Sequence, residues 1–176
     1  MPPQKFIIHL SGPSCVGKST LNQALGEIFP GIYTVSYDRQ KWQLAGYSRD
    51  KDKETVKEIT FGLYEVILEM SLPVQLDFLC KDQALYDRWK SAAEGRGYKF
   101  LSFELVAPME VLLARFRERV ERAKTGAAKI SVTDENIFIN ETSKPPFLPA
   151  AVPSFDTSVM SPAEIAREIA DIVNKV

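Results

Sequence analysis

The chain has 176 residues, of which 45% are hydrophobic and 26% are charged, and its formal net charge is −1. That size predicts one domain over residues 1–176, and the near-neutral charge gives no general attraction to nucleic acid. No apolar run approaches the roughly 20 residues that span a bilayer, and the first run is too short for a signal peptide. We therefore expect a cytoplasmic protein that does not bind membranes.

Short apolar runs alternate along the chain with longer segments of helical period. The predicted strands are residues 5–11, 33–37, 74–80, 100–106 and 154–157, and the predicted helices are residues 18–29, 53–71, 82–94, 109–124, 134–140 and 162–175. Nearly continuous apolar strands are typical of a parallel sheet covered on both faces. The pattern predicts an α/β protein with a three-layer α/β/α fold and a five-stranded, mainly parallel sheet. His9, the only histidine, lies in the first strand and is predicted to be a core residue.

The segment Gly12-Pro-Ser-Cys-Val-Gly17-Lys18-Ser19 matches the G-x-x-x-x-G-K-[ST] pattern and lies between a predicted strand and a predicted helix. Such a loop directs backbone N–H groups at phosphate oxygens, while Lys18 supplies positive charge and the Ser19 hydroxyl suits Mg²⁺. With this loop, the predicted three-layer α/β/α fold is a P-loop NTPase fold with a helical lid, and we predict that ATP and Mg²⁺ are bound here. The predicted cofactor-binding residues of this segment are Gly12, Ser14, Cys15, Val16, Gly17, Lys18, Ser19 and Thr20.

Polar residues follow the other predicted strands, at the sheet edge where ligands of parallel sheets bind. Asp38 is the candidate base that takes a proton from an acceptor hydroxyl, with an N-cap of the next helix as the alternative. Asp77 lies in an apolar run, so either Mg²⁺ or a structural partner is expected to balance its charge. The candidate acceptor-binding residues are Asp38, Arg39, Arg49 and Asp77, although surface packing would explain the two arginines equally well.

Arg115, Arg119 and Arg122 are spaced as one stripe of a helix that leads into a flexible-looking segment. A lid over approximately residues 115–145 would close such arginines over the transferred phosphoryl group, with Arg119 as the catalytic one. The alternative is a solvated helix with local ion pairs. The stripe predicts a single shared target for the three side chains.

The chain resembles small P-loop kinases of the zeta-toxin-like, chloramphenicol-phosphotransferase-like and polynucleotide-kinase-like group. The segments that carry the resemblance are residues 11–21, 36–38, Asp77 with Arg88, the arginine stripe, and residues 155–158. The resemblance implies ATP as donor, Asp38 as base, lid arginines on the phosphates, and Asp156 and Thr157 near the adenine. Polynucleotide kinases of this group tend to have an arginine three residues after the base, where this chain has Lys41.

These observations together predict an ATP-dependent phosphotransferase that phosphorylates a hydroxyl of a small-molecule acceptor. Two alternatives stay open at this point. One is an ATP-binding regulatory or toxin-type module that phosphorylates no acceptor. The other is a kinase acting on a nucleic-acid 5′ end, which the charge balance and Lys41 disfavour.

Overall fold

The computed structural model describes residues 5–149 and 151–175. Strands and helices alternate through most of these ranges. The strands are β1 (Phe6–Ser11), β2 (Tyr33–Ser36), β3 (Val74–Asp77), β4 (Lys99–Val106) and β5 (Ser154–Asp156), and the helices are α1 (Lys18–Ile28), α2 (Tyr37–Lys41), α3 (Arg49–Glu69), α4 (Gln83–Glu94), α5 (Met109–Lys124), α6 (Glu135–Thr142) and α7 (Pro162–Val173).

The five strands form one sheet in the order β2-β3-β1-β4-β5, and each described pair of neighbours is parallel. Helices cover both faces, as parallel strands require when crossover connections join them. The predicted fold class, an α/β P-loop NTPase fold with a five-stranded sheet, is confirmed. The strand order brings the carboxyl ends of β1, β2 and β3 side by side, and these ends border the candidate site.

Two hydrophobic clusters hold the layers together, because alternate side chains of β1 point to opposite faces. Ile8 and Leu10 pack in a cluster with buried residues of α1, α5 and α7, whereas Ile7 packs in a cluster with residues of α3 and α4. Tyr64 of α3 and Trp89 of α4 form the centre of the second cluster, with ring centroids 4.7 Å apart. Burial of each such ring stabilises the fold by about 2–3 kcal/mol.

Several boundaries differ from the sequence-based predictions. Strand β3 ends at Asp77 rather than at residue 80. Phe78 and Cys80 are buried, but they lie in the loop that follows the strand, where the Phe147 N–H donates to the Cys80 carbonyl over 2.9 Å. The short helix α2 was not predicted, and α3 begins at Arg49 rather than at residue 53. The predicted limits of α5 are confirmed.

The segment predicted as a lid, residues 115–145, comprises most of α5, a connecting loop and α6. The rings of Phe116 and Phe138 stack with centroids 4.2 Å apart, and the Arg117 guanidinium pairs with the Glu135 carboxylate at 2.6 Å. These two contacts join α6 to α5, so the pair of helices packs as one unit beside the sheet.

The predicted start of the last helix is confirmed: Ser161 caps α7 in a capping box with Glu164, and Pro162 is its first residue. Residue 150, in the segment between α6 and β5, lies outside the described residues, as do residues 1–4 and residue 176. Among the helices of the described ranges, none has the length and apolar character that a membrane crossing needs.

Candidate active site

The loop between β1 and α1 has a backbone conformation that its sequence explains. Gly12 and Gly17 have φ angles of 153° and 106°, which side chains other than glycine's rarely allow. A Cβ built on Gly12 would lie 2.4 Å from the Leu105 carbonyl oxygen, so the loop leans directly on β4. Cys15 has φ 64°, which is uncommon for a residue with a side chain. Both glycines are therefore needed for the course of this loop.

The loop ends at the beginning of α1 without a side-chain cap. Gly17 is the N-cap residue and provides no hydrogen bond to the N–H groups of the first turn. Those N–H groups and the positive end of the helix dipole favour an anion at this position. Lys18, the first helical residue, donates from Nζ to the carbonyl oxygens of Gly12 and Pro13, each over 2.9 Å. Its ammonium group therefore lies across the loop.

A cavity of about 510 Å³ adjoins the loop at the carboxyl ends of β1, β2 and β3. Its volume is typical of small-molecule sites. The lining contains eight lysine or arginine side chains and three carboxylates. These residues are Lys18, Lys41, Arg49, Lys53, Lys57, Lys81, Arg119 and Lys144, with Asp38, Asp77 and Glu141.

Asp38 lies in the first turn of α2, and its carboxylate accepts a hydrogen bond of 2.6 Å from Lys41 Nζ. The Asp38 side chain is 58% exposed, whereas the Lys41 side chain is 9% exposed and also donates to Ser131 Oγ over 3.3 Å. The ammonium of Lys41 lies 4.9 Å from the centre of the Trp42 ring. Ser36, not Asp38, is the N-cap of α2, so the alternative prediction of a capping role for Asp38 is wrong.

Asp77 is the last residue of β3 and stands in register with Ser36 of β2. Its carboxylate accepts a hydrogen bond of 3.4 Å from Ser36 Oγ and has no ion-pair partner within 4.0 Å among the described residues. Desolvation raises the pKa of Asp77, while the positive charge of Lys18 opposes that shift. A desolvated carboxylate that faces a phosphate-binding loop favours a bound cation.

The donor set at this edge fits Mg²⁺ bound to a nucleotide. Mg²⁺ usually takes one or two protein oxygens and completes its shell with phosphates and water. The Asp77 carboxylate lines the cavity, and Ser19 in the first turn of α1 is exposed. No group of three or more histidine, cysteine or acidic residues suited to a metal occurs among the described residues.

The three arginines of α5 have different surroundings. Arg115 donates to the Thr157 hydroxyl and carbonyl, at 2.9 and 2.7 Å, and approaches the carbonyls of Cys15 and Val16 at 3.4 Å. Arg119 lines the cavity and donates to the Lys129 carbonyl over 3.0 Å.

Arg122 is exposed and does not line the cavity. The prediction of a single shared target for the stripe is wrong, because a helix rises about 1.5 Å per residue and its two ends reach different elements.

Arg115 joins the phosphate loop to the end of β5. Thr157, its partner there, also receives a backbone hydrogen bond: the Thr157 N–H donates to the Val106 carbonyl over 2.9 Å. The neighbouring Asp156 accepts hydrogen bonds from the Ser158 N–H and hydroxyl, and these lower the pKa of Asp156. Arg115 therefore supports the loop from behind rather than pointing into the cavity.

The cavity brings together part of the predicted set and leaves part outside. Predicted residues that line it are Gly12, Ser14, Cys15, Lys18, Asp38, Arg49, Asp77 and Arg119. Predicted residues that do not line it are Val16, Gly17, Ser19, Thr20, Arg39, Arg115, Arg122, Asp156 and Thr157. The roles assigned to both groups stay predictions.

Sequence reasoning missed the lysines that line the cavity from α3 and from the loop after β3. Lys53 and Lys57 follow Arg49 at i+4 and i+8, a helical stripe that the sequence contains. Lys81 lies after β3 and meets this stripe only in the folded chain. The first signal was available in the sequence, whereas the second required knowledge of the fold.

A phosphate-binding loop between the first strand and first helix of a parallel sheet, with a cavity at the strand ends, defines a P-loop nucleotide-binding protein. The family model described as an AAA domain matches residues 7–137, well over half of the chain. The chain belongs to this family. No curated protein sequence matches it.

Solved structures share the fold. A kinase candidate from Chloroflexus aurantiacus is 19% identical with a TM-score of 0.76, and the match covers 99% of this chain and 98% of that chain. The APS kinase CysC of Mycobacterium tuberculosis is 15% identical with a TM-score of 0.69, covering 98% and 99%. A gluconokinase from Sinorhizobium meliloti is 17% identical with a TM-score of 0.59, covering 99% and 93%.

At these identities the likeness concerns the fold, which is that of P-loop kinases. Membership of the particular subgroup expected from the sequence stays a prediction. That subgroup comprises the zeta-toxin-like, chloramphenicol-phosphotransferase-like and polynucleotide-kinase-like enzymes.

Proposed function

We propose that the protein is an ATP-dependent phosphotransferase that moves the γ-phosphoryl group of ATP to a hydroxyl group of a small-molecule acceptor. One observation carries the proposal: Lys18 of the phosphate loop and the carboxylate of Asp38 line the same cavity, which has room for an acceptor. Among the structural neighbours, the APS kinase is in complex with AMPPNP and APS, which supports ATP as the donor.

The donor side of the site consists of the loop and Lys18. On nucleotide binding, the Lys18 ammonium exchanges the carbonyl oxygens of Gly12 and Pro13 for phosphate oxygens. Because its position is already fixed by the loop, it stabilises the negative charge that develops on the phosphate oxygens during transfer. Ser19 and Asp77 would hold Mg²⁺ together with the nucleotide, and the ion would supply further positive charge to the phosphates. Arg119, which lines the cavity from α5, is the candidate lid arginine.

On the acceptor side, the Asp38 carboxylate takes the proton of the acceptor hydroxyl. The hydroxyl oxygen forms a bond to the γ-phosphorus while the bond from that phosphorus to the bridging β–γ oxygen breaks, and ADP leaves. Lys41 holds the carboxylate through the 2.6 Å hydrogen bond and also reaches Ser131 in the predicted lid segment. Lys41 is thus a positioning residue, which links the orientation of the base to the lid.

The variant Asp38→Asn tests the assignment. It should bind AMPPNP nearly as the parent does, because Asp38 makes no hydrogen bond or ion pair with a described residue of the loop, and should slow transfer by about 100-fold or more through loss of the base. ADP formation with a panel of small hydroxyl compounds, gluconate and APS included, is the assay, and calorimetric titration with AMPPNP is the binding measurement.

The matched control is Asp171→Asn, which removes an exposed carboxylate of α7 and should leave both measurements unchanged. Transfer at the parent's rate by Asp38→Asn would show that another group is the base. AMPPNP binding by the parent without transfer to any acceptor would instead favour a nucleotide-binding module.

A further inference from the structure

Four cationic side chains lie at one end of the cavity, and phosphate binding at the loop does not explain their presence. Arg49, Lys53 and Lys57 line it from successive turns of α3, at i, i+4 and i+8, and Lys81 lines it from the loop after β3. These residues come from two separate segments of the chain. The fold has therefore brought like charges together on one wall.

The carboxylates of the cavity do not neutralise this wall. Asp38 pairs with Lys41, and Asp77 lies at the end of β3, where the charge of Lys18 acts on it. The third carboxylate that lines the cavity is Glu141 of α6, and it pairs with one of the four cations, Arg49.

Two of the four cations have no hydrogen-bond or ion-pair partner within the described part of the chain. Lys57 pairs with Glu54, which does not line the cavity. Lys53 and Lys81 make no hydrogen bond or ion pair with any described residue. The positive charge of Lys53 lowers the pKa of Lys81, and desolvation and the charges of Arg49 and Lys57 act in the same direction. The carboxylate of Glu141 opposes this shift without cancelling it, so the two segments lie close enough to repel one another.

This repulsion is reinforced by the position of the stripe on its helix. Arg49 and Lys53 lie near the amino end of α3, where the helix dipole is positive and disfavours cations. Turning all four side chains into solvent would reduce the repulsion, yet Lys53 and Lys57 are half-buried and all four side chains border the cavity. A bound anion relieves both effects.

We propose that Arg49, Lys53, Lys57 and Lys81 form an anion subsite for the acceptor, so that the acceptor carries a phosphate, sulfate or carboxylate group besides its reacting hydroxyl. The proposal rests on the proposed function, because it concerns the same cavity. The hydroxyl lies at the Asp38 end and the anionic group at the α3 end, and the apolar side chains of Phe78 and Leu79 line the cavity as well.

The α6 segment also borders this end of the cavity. The Thr142 hydroxyl belongs to the lining and has no hydrogen-bond partner among residues 5–149 and 151–175. Glu141 of the same helix pairs with Arg49. A wall closed by α6 suits a small molecule better than a polymer, and the pI of about 5.9 agrees with that choice.

The test measures anion binding with the phosphate loop already occupied. AMPPNP and Mg²⁺ are first titrated into the protein by calorimetry, and inorganic phosphate or sulfate is then titrated into the saturated complex. Saturable binding is expected, and the double variant Lys53→Gln/Lys81→Gln should weaken it at least about tenfold while AMPPNP affinity stays the same. The control Lys124→Gln/Lys175→Gln removes the same charge from outside the cavity and should change neither.

Acceptor pairs that differ by one anionic group give a second readout. Glucose 6-phosphate against glucose, and glycerol 3-phosphate against glycerol, are compared by ADP formation, and any acceptor that reacts should be the anionic member, with its KM raised in the cavity variant. Equal use of the neutral members, absence of phosphate and sulfate binding, or equal affinity in the cavity variant would overturn the subsite.

Two other results have different meanings. Displacement of the bound phosphate by a 5′-hydroxyl oligonucleotide at physiological salt would overturn the small-molecule assignment in favour of a nucleic-acid end. Failure of AMPPNP to bind in the first titration would count against the proposed function itself.

Discussion

Replacement of Gly12 by alanine tests how tightly the phosphate loop is held against the sheet. The new Cβ would lie 2.4 Å from the Leu105 carbonyl oxygen, 3.1 Å from Val16 Cγ1 and 3.3 Å from the Leu105 carbonyl carbon. Leu105 belongs to β4 and is paired with Phe155 of β5, so its carbonyl cannot easily withdraw. Gly12 also has φ 153°, which alanine adopts only under strain.

The expected loss of stability follows from these two effects. Overpacking against rigid backbone costs about 1–3 kcal/mol, and the unfavourable φ adds about 1–2 kcal/mol. We therefore expect Gly12→Ala to lower the free energy of unfolding by about 2–5 kcal/mol. If the protein relieves the clash by moving the loop away from β4, the N–H groups lose their arrangement, and AMPPNP affinity should fall at least about tenfold.

Gly26→Ala is the matched control because Gly26 lies in α1, the helix that follows the loop, but near its far end. A Cβ there meets no atom within 4 Å, so the substitution should raise stability by up to about 1 kcal/mol and leave AMPPNP binding unchanged. Urea denaturation gives the stabilities and calorimetry the affinities. A Gly12→Ala protein with the parent's stability and affinity would refute the close approach of the loop to β4.

Three further variants probe the surroundings of the loop. Asp77→Asn should stabilise the ligand-free protein by about 1 kcal/mol, because it removes a desolvated charge. The same variant should abolish the dependence of AMPPNP binding on Mg²⁺. Unchanged dependence on Mg²⁺ would contradict the metal role of Asp77. Burial lowers the pKa of His9 from its ordinary value of 6.5 to about 4, so the unfolded chain takes up a proton at a higher pH than the native state does. The parent should therefore lose about 3 kcal/mol of stability as the pH falls from about 6.5 to about 4. This component should be missing from the pH profile of His9→Gln, and identical profiles in urea denaturation would contradict it. Arg115→Lys keeps the charge but not the forked contact with Thr157, and should weaken AMPPNP binding several-fold; parent-like affinity would contradict the supporting role.

The phosphate loop could be predicted from the sequence because all of its determinants are contiguous. Gly12, Gly17 and Lys18 fall within one short segment, and the flanking strand and helix have clear periodicity. The closeness of Gly12 to Leu105 could not be foreseen in the same way, since it depends on the pairing of β1 with β4. Local chemistry was thus visible in the sequence, and the contacts that enforce it were not.

Burial misled the prediction of β3. Phe78 and Cys80 are apolar and buried, as strand residues would be, yet they lie in a loop that packs beneath Phe147. A run of apolar residues reports burial and does not by itself report backbone pairing. The true end of the strand at Asp77 places this carboxylate at the sheet edge, beside the phosphate loop.

Regular helical spacing misled the prediction for the arginines. Arg115 and Arg122 share one face of α5, but the sequence cannot tell which neighbours that face meets along its length. In the fold Arg115 meets the loop and β5, whereas Arg122 is exposed. The cations of the proposed anion subsite were missed for the related reason that Lys81 joins the α3 stripe only through tertiary structure.

A crystal structure with AMPPNP and Mg²⁺ is the most direct measurement of nucleotide binding at the loop between β1 and α1. We predict the triphosphate within hydrogen-bond distance of the backbone N–H groups of residues 12–19, with Lys18 Nζ moved from the carbonyls of Gly12 and Pro13 to the phosphate oxygens. A nucleotide bound elsewhere on the protein, with Lys18 still on those two carbonyls, would contradict the proposed site.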